Sequence, residues 1–69
     1  MLNKLLLESI MKLHADTGTS LAGYLGIARS TFSAKLNESR GAEFTQSEIL
    51  AIKKRYQLSP EQIDQVFFG

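Results

Sequence analysis

At 69 residues the chain has room for one small domain, near the lower limit for a core that folds unaided. No cysteine and a single histidine exclude a disulfide, a thiolate metal site and a typical zinc site, and no cofactor is expected. With 43% apolar residues, 22% charged residues and a net charge of +1, the composition is that of a globular protein. Bulk charge neither supports nor excludes a nucleic-acid partner.

The opening segment, MLNKLLLESIMKLH, invites comparison with a signal peptide. Glu8 and Lys12 interrupt it, and no small-residue cleavage site follows. Its apolar run Leu5-Leu6-Leu7 is far too short to cross a membrane. Leu6, Ile10 and Leu13 recur at helical spacing, and Leu2, Leu7 and Met11 widen the stripe. An amphipathic first helix is therefore predicted from about Asn3 to Leu13. Asp16-Thr17-Gly18 breaks the pattern, and Thr17 or Thr19 caps a second helix that ends at Gly26. A third helix is predicted from about Arg29 to Asn37, and Glu38 to Phe44 reads as a loop.

The last two helices have the clearest beginnings. Thr45 with Glu48 forms a capping box, and Phe44 with Ile49 a hydrophobic staple, opening a fourth helix that runs to Tyr56. Ser59 with Gln62, Pro60 at the first helical position, and the Leu58–Ile63 staple repeat that grammar for a short fifth helix ending in Val66-Phe67-Phe68-Gly69. The expected fold class is all-α, five short helices in a single domain spanning residues 1–69. There are no internal repeats, linkers or low-complexity stretches.

Thr17 to Leu36, TGTSLAGYLGIARSTFSAKL, reads as a helix-turn-helix. Two short helices joined tightly bring their backbones close, so the first needs a small residue, Ala22, facing the second. The turn needs positive φ, which Gly26 supplies without a Cβ penalty. Leu21, Leu25, Ile27, Phe32 and Leu36 bury one side. Arg29, Ser30, Ser33 and Lys35 occupy the other, free to meet DNA. Arg29, Lys35 and Arg40, with a second cluster at Lys53, Lys54 and Arg55, suit a one-sided contact, while acidic Glu61 and Asp64 lie in the tail. No acid–base pair, nucleophile or metal set accompanies them, so an enzyme is not expected. Glu38 and Glu43 read as solvated surface, His14 as a helix C-terminal residue favourable to the dipole, and Tyr24 and Tyr56 as half-buried with their hydroxyls outside.

The runs LAGYLGIARSTFSAKLN and FTQSEILAIKKRYQLSPEQI, with the terminal VFF, resemble the phage Cro/CI-type helix-turn-helix regulators of the Xre-like superfamily. Nearest in kind are the small Cro-like proteins of phages of low-GC Gram-positive bacteria. The resemblance spans nearly the whole chain. It implies a lambda-repressor-like domain in the cytoplasm of a bacterial host, binding a palindromic operator with the third helix in the major groove, usually as a homodimer. Under it, Arg29 is the leading base reader, alternatively a phosphate contact or a solvated arginine. Ser30, Ser33 and Ala34 are further base candidates. Thr19, Ser20, Thr31, Lys35, Asn37, Arg40 and Gln46 are phosphate candidates. The chain departs from the family at Gly18, where glutamine is common, and at Ala28, where a serine cap is common. Ser30 can cap a later start there, or the helix end frays.

Val66, Phe67 and Phe68 are expected to form a dimer or partner surface. Two adjacent aromatics cannot both face one core, so either one completes the core and leaves the other exposed, or both wrap back over the first helix. A reading from another class is a protein-interaction modulator, an antirepressor that binds the phage repressor. A third makes the chain the DNA-binding head of a longer regulator.

Overall fold

The computed structural model describes all residues from Met1 to Gly69. Five helices form: α1 (Lys4–Leu13), α2 (Gly18–Leu25), α3 (Arg29–Leu36), α4 (Gln46–Tyr56) and α5 (Pro60–Ile63). The last runs on into a π-turn over Asp64–Phe68, and a single 3₁₀ turn at Ser39–Gly41 interrupts the loop after α3. No strand is present, so the all-α class holds. No helix is long and apolar enough to cross a membrane.

Local chemistry sets the beginnings of the helices. Thr17 caps α2, and Ser20 closes a capping box back onto the Thr17 N–H at 2.8 Å. The Thr45–Glu48 and Ser59–Gln62 boxes form as their sequence spacing demands, and Asn3 caps α1 through its side chain. Thr45→Ala is expected to cost ~1 kcal/mol. In a domain this small that lowers the melting temperature by about 4–8 °C, and an unchanged thermal melt would contradict it.

Helix ends are closed by left-handed residues. Gly26 (φ 73°) ends α2, and the N–H of the next residue, Ile27, returns to the Ala22 carbonyl at 3.0 Å. The same closure ends α1 at Ala15 (φ 57°) and α4 at Gln57 (φ 53°), where a Cβ has to be tolerated in that conformation.

Leu7, Ile10 and Met11 of α1 meet Leu21, Ala22, Phe32, Ile52, Tyr56, Leu58, Val66 and Phe67 in one core. The predicted stripe of α1 is thus rotated: Leu13 lies 83% exposed, and Leu7 and Met11 take the central places. A leucine-rich helix offers two overlapping stripes, and only its neighbours decide which one faces inward. All four staple residues are drawn in, with Leu58 buried and Phe44, Ile49 and Ile63 packed against the core. Phe44 joins the loop to both neighbours, edge-on to Phe32 at 5.7 Å and to Phe67 at 5.9 Å.

The chain end therefore corrects part of the partner-surface expectation. Val66 is fully buried, and its carbonyl accepts the Asn3 N–H at 2.6 Å; Phe67 is buried against Phe44. The π-turn sends these two side chains inward and leaves Phe68 alone outside, 63% exposed.

Candidate nucleic-acid interface

α2 and α3 pack through Leu21, Ala22 and Phe32, all in the shared core. Phe32 and the half-buried Leu36 mark the inner face of α3. Arg29, Ser30, Ser33 and Asn37 are all exposed; the 3.6-residue repeat sets Arg29 and Ser33 at the edge of the buried face, beside Leu36 and Phe32, and carries Asn37 and Ser30 further round. Thr31 and Ala34, three residues apart, lie on the side turned from Phe32 and Leu36, Thr31 exposed and Ala34 half-buried. Arg29 and Ser33 border a shallow cavity of about 220 Å³ with Gly18, Glu8, Met11, Phe32 and Leu36. A Cβ on Gly18 would meet the Phe32 ring at 3.5 Å, an ordinary contact.

The start of α3 is open. Ala28 is extended and makes no side-chain cap, and the first backbone bond runs from Phe32 N–H to the Ala28 carbonyl. Ser30 does not shift the start; the helix begins at Arg29. The N–H groups of Arg29, Ser30 and Thr31 thus have no partner within the helix. Together with the Arg29 guanidinium and the hydroxyls of Ser30 and Ser33, they form a cluster of donors on one exposed end. Acceptor-rich targets such as phosphate oxygens or guanine O6 and N7 match it. Arg29 and Arg40 form no ion pair.

Several predicted phosphate contacts are engaged within the protein. The Lys35 ammonium bonds both Glu48 oxygens, at 2.7 and 2.8 Å, and its side chain is 15% exposed. It lies on the inner flank of α3, against α4, and not on the outer face. The Asn37 amide donates to the Ser33 carbonyl at 2.9 Å while its oxygen accepts from Lys4 at 2.6 Å. The Ser20 hydroxyl serves the α2 cap and donates to Asp16 at 2.8 Å. Thr19 is exposed on the first turn of α2, and Arg40 is exposed in the loop at φ 53°. Gln46, on the first turn of α4, borders an apolar cavity with Ile49, Leu50, Ile63 and Phe68.

Asp16 is the residue whose importance the sequence does not advertise. Its carboxylate, 6% exposed, accepts from Arg55 at 2.7 and 2.8 Å, from the Tyr56 hydroxyl and from Ser20. The Arg55 hydrogen bonds outweigh burial and, with those from Tyr56 and Ser20, hold this carboxyl far below the usual range. Burial, and then the hydrogen bond to Asp16, push the Tyr56 hydroxyl up. Two sequence readings change as a result. Tyr56 is buried with its hydroxyl on Asp16 and not at the surface, and Arg55 leaves the second basic cluster to pair with Asp16 and lie 4.5 Å over the Tyr24 ring. His14 ends α1 as expected and stacks on Tyr56 at 4.7 Å.

At Glu48 burial raises the pKa, but the Lys35 ammonium and the Thr45 N–H overcome it, and the net shift is downward. Comparison with known proteins places the chain in no family: no protein-family model, curated protein or solved structure matches it.

Proposed function

We propose that the protein is a sequence-specific binder of double-stranded DNA, a transcriptional regulator that presents the N-terminal half of α3 to the major groove. One observation carries this reading. A short helix held by a glycine-turned partner has its outer face stripped of internal partners at its first turn, with Arg29, Ser30 and Ser33 exposed beside three unbonded N–H groups. Arg29 is the base reader, Ser30 and Ser33 its neighbours. Thr31, Thr19 and Arg40 are the remaining backbone contacts. Footprinting on DNA flanking the gene tests the reading. A protected palindrome supports it, and uniform weak protection opposes it.

A homodimer on the operator belongs to the same proposal. Leu50 is 62% exposed and Phe68 63% exposed, and with Ile49, Ile63 and Gln46 they line a cavity of about 240 Å³ that bears no charge. Phe68→Asp is expected to preserve helicity, because Phe68 stands outside the core, and to weaken operator binding by abolishing pairing. Sedimentation of a wild type that stays monomeric even on its operator would contradict this.

The same exposed surface favours the second reading, a modulator that grips a phage repressor instead of DNA. A gel shift separates the two: the regulator shifts DNA by itself, and the modulator does so only with the repressor present.

A further inference from the structure

α3 has only eight residues, and one of them, Phe32, is fully inside the core. A helix so short, anchored by one buried ring and the half-buried Leu36, can roll about that anchor unless something fixes its flank. The Lys35–Glu48 pair does so. Glu48 sits on the first turn of α4, where one carboxylate oxygen accepts the Thr45 N–H at 2.8 Å. Both oxygens also accept from Lys35. The two side chains are only 15% and 11% exposed, so water competes little for their bonds. Lys35 lies one turn from Phe32 and on the side of α3 turned from Arg29 and Ser33, so an ammonium held there does not reach the DNA those residues would face.

We propose that Glu48 is a positioning residue for DNA recognition: acting through Lys35, it sets the rotation at which α3 presents Arg29, Ser30 and Ser33. This rests on the DNA-reading role given to α3 above. α4 is then a frame that holds the two-helix unit at both ends. Glu48, on its first turn, takes the end of α3. Arg55 and Tyr56, on its last turn, take Asp16 and, through Ser20, the start of α2. The proposal opposes the electrostatic alternative, in which Lys35 is a phosphate contact that Glu48 merely withholds.

The two accounts predict opposite signs. Glu48→Gln keeps the cap acceptor and removes the charge. Lys35→Met keeps the length and removes the ammonium. Affinity is measured for the wild type, both variants, the double variant and Lys35→Arg, on the tightest duplex selected from random DNA and on random duplex, at several salt concentrations. Circular dichroism confirms folding of each. A positioning role predicts that Glu48→Gln, Lys35→Met and the double variant all lose about tenfold on the selected duplex, the loss of roughly one base pair's recognition. Binding to random duplex and the salt slope are expected to stay unchanged, and Lys35→Arg to retain affinity. If Glu48→Gln tightens binding while Lys35→Met lowers the salt slope by about one, Lys35 is a phosphate contact and the proposal is overturned. Variants that all bind like the wild type overturn it too. A wild type with no preferred duplex overturns the DNA reading itself, and the positioning role falls with it.

Discussion

Asp16→Asn is expected to damage the fold more than the loss of a helix cap. Asparagine keeps the shape but loses the charge and one strong acceptor, leaving the buried Tyr56 hydroxyl and the Arg55 fork incompletely bonded. Hydrogen bonds to a charged group contribute about 1.5–3 kcal/mol each when one partner is buried. The Arg55 bond adds less, because that head reaches solvent. A loss of about 2–3 kcal/mol, on the order of 8–24 °C in melting temperature, is expected at neutral pH. The pH dependence has a definite sign. The folded carboxyl titrates far below its ordinary value of 3.8, so its contribution is full above that value and fades as pH falls below it. Wild type and variant should therefore melt far apart at neutral pH, and the gap should shrink progressively as pH falls below about 4, with part of it still present at about pH 2. Glu48, also shifted downward, adds to the acid lability of both proteins equally. A gap that stays constant with pH would mean that the Asp16 charge is not what holds the α1–α2 junction to α4.

What a sequence shows most clearly is short-range chemistry. The Thr45–Glu48 and Ser59–Gln62 boxes span three residues, and each partner's identity announces the other; both form. Gly26 announces its turn because glycine is cheap at positive φ. Ala15 and Gln57 make the same closure without that residue type, so nothing in the chain flags them. The two ion pairs were out of reach for a different reason. Lys35 and Glu48 are 13 residues apart and Asp16 and Arg55 are 39 apart, and such pairs become visible only once α4 lies across the other helices. Within its own segment Asp16 is a helix breaker and Lys35 a free cation. The outer face of α3 was legible for the opposite reason. Phe32 and Leu36 mark the buried side within the segment itself, and its polar residues Arg29, Ser30 and Ser33 are all exposed.

The claim that α3 reads bases is tested most directly at Arg29. An arginine bidentate to guanine discriminates between bases by ~1–3 kcal/mol, whereas a phosphate contact weakens all sequences alike and lowers the salt slope by about one when removed. Lys35 is no comparison for it, being held by Glu48; Arg40, exposed and without an ion pair, is. Affinities of wild type, Arg29→Ala and Arg40→Ala are to be measured on the selected operator, on its single-base variants and on random duplex across a range of salt. Arg29→Ala is expected to flatten the preference at one symmetric pair of operator positions, about 10–100-fold at those bases, and to leave random duplex nearly untouched. Arg40→Ala is expected to weaken every duplex similarly and to reduce the salt slope. If Arg29→Ala instead weakens operator, variants and random duplex by one common factor, Arg29 is a phosphate clamp and the base-reading account of α3 is wrong.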